Sequence, residues 1–285
     1  MSASPHISLP DVTICAVTSR AVKPTVRALS LSMEQIDFAD ALLITHEEPD
    51  FPVPENLRIK VTGEIDSREA YSLYVQTRLP EVIQTSFVLL VQWDGYVLNA
   101  AHWSSDFIKY DYIGACWPQF KAPVSVGNGG FSLRSKRLLE ACRDPEFQPG
   151  HPEDISICHI NRSLLEQKYA IKFAPEALAC RFSFERSQPA EETFGFHGVF
   201  NMLDIVGAEK LASICDELES GLLGLRELCD LIAGTLNRDS DVISALRKQF
   251  IAELLRNHAL RPAAWRFVGR YFWNRYCGGR HAPYG

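Results

Sequence analysis

The sequence predicts an α/β fold, with a mainly parallel sheet flanked by helices and an all-helical C-terminal extension. Two observations carry this expectation. Up to about residue 200, short apolar runs rich in β-branched residues alternate with helical stretches, and beyond it only helical spacing remains. The apolar runs are also close to continuous, as in strands buried on both faces. The expected division is 1–200 for the α/β domain and 201–285 for the helical extension.

Residues 12–18 read as a buried first strand. Thr18, Ser19 and Arg20 follow it, so its carboxyl end opens to a ligand. Pro24 suits a first helical turn, and Val26, Leu29 and Met33 share one face of the helix it opens. Residues 41–45 form a second strand, the proline-rich stretch 48–54 a loop, and 57–62 a third strand. Ser67 caps a helix running to about Leu79, and 86–91 is the most apolar strand of the chain. Ligands of such sheets bind outside the carboxyl ends of the strands, which is where chemistry is to be sought.

Composition narrows the function classes. The 285 residues are 46% hydrophobic and 22% charged, enough for a full globular core. A net charge of −6 gives no reason to expect a nucleic-acid partner. The eight cysteines form neither a C-x-x-C pair nor a zinc spacing, so they read as reduced thiols packed as small apolar groups. Residues 1–11 lack a secretory pattern, and no apolar run reaches the ~20 residues that span a bilayer. The expected location is cytoplasmic.

Four motifs carry candidate chemistry. Gln92, Trp93, Asp94 and Gly95 place a carboxylate directly after the most apolar strand, where it can hold a divalent cation on a diphosphate. The same Asp-Gly step between apolar residues also signals a tight turn, and a turn can carry a metal carboxylate. Gly127, Asn128, Gly129 and Gly130 allow the close backbone approach of a ligand-cradling loop, without the Lys-Ser/Thr of a P-loop. Pro152, Glu153 and Asp154 read as a helix start and offer a general base for an acceptor hydroxyl. His197, in F-G-F-H-G, is a structural histidine or an imidazole partner to a carboxylate on a metal.

Taken in order, V-Q-W-D-G, Y-D-Y-I-G-A, G-N-G-G-F-S-L-R, P-E-D and F-G-F-H-G resemble a family of bacterial glycosyltransferase-like domains of little-characterised function, over residues 12–198. The same order is similar to the wider GT-A superfamily of nucleotide-diphospho-sugar transferases. The resemblance implies a nucleotide-sugar donor bound near Thr18, Arg20, Gln92, Trp93, Asp94, Asn128, Gly129 and Gly130. It implies Mn2+ or Mg2+ on Asp94 and His197, with Asp154, or Glu153 second, as base in an inverting transfer to a glycan or lipid-linked acceptor. Gln92 departs from the pattern, standing where Asp-x-Asp has its first carboxylate; Arg20 or Arg134 would neutralise the diphosphate if metal is not used. That departure keeps open a non-catalytic module that binds a nucleotide sugar or glycan. Asp111, in Y-D-Y, reads as an acid capping a strand or turn.

In the extension, apolar stripes run through Leu211, Ile214, Cys215 and Leu218, through Leu222, Leu225, Cys229, Ile232 and Leu236, and through Ile243, Leu246, Phe250 and Leu254. After Glu253 there is no acid. Arg256, Arg261, Arg266, Arg270, Arg275 and Arg280 interleave with Trp265, Phe267, Tyr271, Phe272, Trp273 and Tyr276. This pattern suits a peripheral contact with an anionic membrane, and equally an aromatic helix docked on the protein.

Overall fold

The computed structural model describes residues 6–258 and 262–276. The chain divides into two compact units, Met1–Gly198 and Val199–Gly285.

The first unit is a mixed α/β structure around a six-stranded, mainly parallel sheet flanked by helices. In chain order its elements are β1 (Ile7–Val17), α1 (Val22–Met33), β2 (Ile36–Thr45), β3 (Arg58–Val61), α2 (Arg68–Thr77), α3 (Leu79–Val82) and β4 (Phe87–Val91). They continue with β5 (Tyr112–Ile113), β6 (Phe131–Ser135), α4 (Lys136–Ala141), α5 (Glu153–Ile155), α6 (Arg162–Tyr169) and α7 (Glu176–Phe182). The short strands β7 (Ser183–Phe184) and β8 (Gly195–Phe196) form a separate parallel pair.

The strand order is β3-β2-β1-β4-β6-β5. β1, β2, β3 and β4 run parallel, while β6 is antiparallel to β4 and β5. Alternation along each strand divides the core between two faces. Ile14 and Ala16 of β1, Leu43 of β2 and Leu89 and Val91 of β4 pack on the side of Val26 and Leu29 from α1. Cys15 and Val17, Leu42 and Ile44, and Val88 and Leu90 face Val75, Leu79 and Leu139 on the other side. Burial on both faces is why these strands read as unbroken apolar runs.

Two strands are longer than expected. β1 begins at Ile7 and passes a register shift between Leu9 and Thr13, so Pro10 and Asp11 sit inside it. β2 begins at Ile36, and at this end the exposed Asp37 and Ala39 alternate with the more buried Ile36, Phe38 and Asp40. Ser67 caps α2 as expected, its Oγ accepting from the Ala70 amide, and Ser135 Oγ likewise accepts from the Leu138 amide at the start of α4.

Asp111 is a brace. Its carboxylate accepts from Ser135 Oγ at 2.6 Å, from Arg137 Nη2 at 2.5 Å and from the Lys172 amide at 2.8 Å. These bonds hold the β5–β6 pair to the segment after α6.

The second unit contains α8 (Val199–Val206), α9 (Ala208–Cys215), α10 (Leu225–Thr235), α11 (Asp241–His258) and α12 (Pro262–Tyr276). Leu211, Ile214, Cys215, Leu246, Phe250 and Leu254 are buried as the stripes imply. In α10 the stripe holds at Cys229 and Ile232, which are buried together with Leu228 and Leu231, whereas Leu236 is exposed and Leu222 and Leu225 are half-buried. Gly224 is the N-cap, so the helix starts later than the run of leucines suggests. Arg261 and Arg280, with the side chains of Arg275 and Tyr276, lie outside the described residues.

Candidate functional site

β1 and β4 are neighbouring parallel strands whose carboxyl ends lie side by side, and the segments leaving both, α1 and residues 97–107, pack into the same core cluster. The region outside the carboxyl ends of such strands is the usual ligand position in these sheets. Thr18 lies at the end of β1, where Oγ1 accepts from the Arg20 amide at 3.0 Å in a local turn. Residues 92–95 follow β4, and Val91 pairs with Phe131 of antiparallel β6. Asn128, Gly129 and Gly130 therefore stand beside the β4 turn at the same edge of the sheet.

That turn is tight. The Gly95 amide donates to the Gln92 carbonyl at 3.0 Å, with Trp93 half-buried and Asp94 buried between them. The turn and the placement of a carboxylate after the strand are thus the same feature. The Asp94 carbonyl also accepts from the Gly198 amide at 3.0 Å, which draws the segment after β8 onto the turn.

His197 is the centre of one cluster. Its Nε2 lies 3.2 Å from Gln92 Oε1 and 3.4 Å from Asp94 Oδ1, and its Nδ1 lies 3.6 Å from Glu185 Oε1. Burial works against charging this ring, but Asp94 and then Glu185 outweigh it and push its pKa up to about 10. Asn128, at φ 71°, fixes the loop: its Oδ1 accepts from the amides of Gly130 and Phe131, so its amide nitrogen faces His197 Nδ1 at 3.2 Å.

A second cluster surrounds Glu153 and Asp154. Arg134 of β6 is fully buried and donates from Nη2 to Glu153 Oε1 at 2.6 Å and from Nε to Ser132 Oγ at 3.0 Å. Its guanidinium also lies 5.2 Å from the centre of the Tyr112 ring. Arg134 Nη1 is buried and has no hydrogen-bond partner among the described residues. Asp154 is oriented differently: Oδ2 accepts from the Gly129 amide at 3.0 Å and Oδ1 from its neighbour Ile155 at 2.8 Å. Burial, and then the adjacent Glu153 carboxylate, push the Asp154 pKa up to about 7. The loop leading into α5 is tied to α2, where the Gln76 amide bonds both ways with the backbone of Gly150.

The two clusters back onto consecutive glycines. A Cβ on Gly129 would lie 1.9 Å from Glu153 Oε1, and one on Gly130 would lie 2.0 Å from His197 Nε2. Both glycines are required by close approach rather than by a left-handed backbone.

The structure brings Gln92, Asp94, Asn128, Gly129, Gly130, Glu153, Asp154 and His197 together. It sets Thr18 and Arg20 at the end of the neighbouring strand. Arg134 is corrected in role: a fully buried guanidinium paired with Glu153 is not exposed to neutralise a diphosphate. Two residues of the site were missed. Glu185, which follows β7, is the second carboxylate on His197, and only its place after a two-residue strand could have signalled it. Tyr71 of α2 hydrogen-bonds to Gln92, and nothing in the sequence around it marks it as a site residue. Among the described residues no group of three or more His, Cys, Asp or Glu side chains is arranged to hold a metal ion.

Residues 60–197 match a sequence family described as "Protein of unknown function (DUF5672)". No curated protein matches the chain. Among solved structures, a glycosyltransferase involved in the glycosylation of the major capsid of PBCV-1 aligns with a TM-score of 0.37 at 14% identity, over 65% of this chain and 93% of that one. The apo-form glycosyltransferase GlyE of Streptococcus pneumoniae TIGR4 aligns with a TM-score of 0.36 at 13% identity, over 96% of this chain and 64% of that one. A second GlyE structure gives a TM-score of 0.37 at 13% identity, over 93% and 64% of the respective chains. The chain thus spans less than two thirds of the length of GlyE.

Replacement of Gly129 by Ala is expected to force Glu153 off Arg134 and to cost about 3–5 kcal/mol, the loss typical of a broken buried ion pair. A Cβ on Gly63 meets nothing within 4 Å, so Gly63→Ala is the control and should change stability by less than about 0.5 kcal/mol. Urea unfolding of the two variants checks this.

Proposed function

We propose that the chain is a nucleotide-sugar-dependent glycosyltransferase of the GT-A type, acting by inversion with Asp154 as general base. The observation that carries this reading is the unequal treatment of two adjacent carboxylates. Glu153 is spent on Arg134, whereas Asp154 is half-buried, aimed by a loop amide, and poised near neutral pH. A base with a pKa near the working pH is well matched to removing a hydroxyl proton in the transition state.

In the proposed step the acceptor oxygen attacks the anomeric carbon while its proton passes to the Asp154 carboxylate. The bond from the anomeric carbon to the diphosphate oxygen breaks, and the nucleoside diphosphate leaves with that electron pair. The acceptor is a glycan or lipid-linked hydroxyl.

Gln92 Oε1 lies 3.2 Å and Asp94 Oδ1 3.4 Å from His197 Nε2. That set could hold Mn2+ or Mg2+ only if the His197 imidazolium gave up its Nε2 proton, and only as an open site completed by ligands from outside the chain. A divalent ion held by these residues would supply positive charge to the leaving group. Gln92, neutral where a second carboxylate would strengthen such a site, favours the alternative of a binding module without turnover.

The extension supports a further partner for this reading. On α12, Ala264 is buried and the Tyr271 hydroxyl donates to Asp230 of α10. Arg266, Arg270 and Trp273, at i, i+4 and i+7, are exposed together, with Trp273 65% and Trp265 49% accessible. A helix docked by one face and carrying arginine and tryptophan on another suits the surface of an anionic membrane. Among the described residues no helix is long and apolar enough to cross one.

Replacement of Asp154 by Asn should lower turnover by about 10²–10⁴-fold and leave donor affinity unchanged. Because its pKa is raised and the ionised form is the base, wild-type activity should be lost as pH falls through about 7. Single-turnover kinetics with donor titration across pH checks both points, and tight donor binding without turnover in the wild type selects the binding module. Asp94→Ala should abolish any Mn2+-dependent rise in melting temperature with a nucleoside diphosphate, read by thermal shift. For the membrane, Arg266→Glu/Arg270→Glu should remove most co-sedimentation with phosphatidylserine vesicles at low salt, at roughly 1 kcal/mol per arginine. Trp273→Ala should weaken the fraction of binding that survives high salt.

A further inference from the structure

Seven cysteines are described, and five of them, Cys15, Cys142, Cys158, Cys215 and Cys229, are buried as packed thiols. Cys116 and Cys180 differ. Cys116 is half-buried, Cys180 is exposed, and their sulfurs lie 2.7 Å apart across 64 residues of chain. That approach is closer than packing of two thiols needs and is a short step from the ~2.05 Å of a disulfide bond.

Each cysteine belongs to one flank of the candidate site. Cys116 bridges to Val126 in a two-stranded ribbon, in which the Trp117 amide donates to the Ser125 carbonyl at 2.7 Å and the Gly127 amide to the Ala115 carbonyl at 3.1 Å. The next residue of that ribbon is Asn128. Cys180 lies on α7, which runs directly into β7 and Glu185. Ser125 Oγ already donates to Glu176 Oε2 at 2.9 Å, so the ribbon and α7 meet before any covalent bond is made.

We propose that Cys116 and Cys180 are a redox modification site that closes into an intramolecular disulfide and locks the glycine-loop ribbon to α7. The co-reactant is a low-molecular-weight disulfide such as oxidised glutathione. The exposed Cys180 thiolate attacks one sulfur of that disulfide, forming a mixed disulfide and expelling one small thiolate. Cys116 Sγ then attacks Cys180 Sγ, which forms the internal bond and expels the second small thiolate. The two protein thiols lose two electrons and two protons; the small disulfide gains both and leaves as two thiols. Burial, reinforced by the Cys180 hydrogen bond, pushes the Cys116 pKa up, consistent with Cys180 reacting first. This inference is independent of the transferase reading.

The test treats the full chain with oxidised glutathione, blocks remaining thiols with iodoacetamide and maps peptides by mass. The expected result is one linked peptide joining Cys116 to Cys180, an intact mass lower by two hydrogens, and a melting temperature raised by about 5–10 °C. Dithiothreitol should reverse all three. Cys116→Ser should instead retain glutathione on Cys180, and Cys180→Ser, a change at an exposed position, should give neither crosslink nor shift. Stable glutathione on Cys180 of the wild type, a link from either residue to another cysteine, or an unchanged wild-type protein overturns the proposal.

Discussion

The arrangement at the sheet edge depends on one buried ion pair. Arg134 sits in β6 with no solvent exposure, and an unpaired guanidinium there would carry a penalty of several kcal/mol. Glu153 removes that penalty only if the start of α5 lies against β6 at the level of Gly129. Once it does, the neighbouring residue, Asp154, must emerge beside the same loop, where the Gly129 amide receives it. The ion pair is thus a device for placing a different carboxylate. Tyr112, over the guanidinium with its hydroxyl donating to the Asn128 carbonyl at 3.1 Å, joins the pair to the loop from the other side.

Much of the α/β architecture was legible because strands buried on both faces leave continuous apolar runs, as at Leu42, Leu43 and Ile44 or at Val88, Leu89 and Leu90. The ends of β1 and β2 were not, since Pro10 and Asp11 fall at a register shift and Asp37 and Asp40 break the apolar run by pairing with His6 and Arg58. The antiparallel run of β6 was also hidden, because strand direction leaves no trace in local composition. Within the candidate site, the glycines and the paired acids stood out by residue type alone. The partnership of Arg134 with Glu153 did not: the two are 19 residues apart, and nothing in either neighbourhood marks one charge as the other's counterion. Glu185 and Tyr71 were missed for the same reason, as each acquires meaning only from what the fold sets against it.

In the extension, α12 presents two unlike faces. Its arginines and aromatics were compatible with docking or with a lipid surface, and α12 separates them by face. The tyrosine hydroxyl goes inward to Asp230, while Arg266, Arg270 and Trp273 stay accessible. The chain as a whole carries a net charge of −6, so its acid-free segment is a local reversal of sign rather than a general basicity.

The consecutive glycines have a mechanical consequence. Glu153 packs on Gly129 and His197 on Gly130, so a single trans peptide, ~3.8 Å from Cα to Cα, separates the two clusters. That peptide is a rigid plate. The carboxylate side and the imidazole side of the site cannot drift apart by rotamer changes in the loop, which has no side chains there to rotate. Any rearrangement that alters their spacing must turn the plate itself, and Asn128, bonded to the two amides that follow Gly129, holds the hinge on which it would turn.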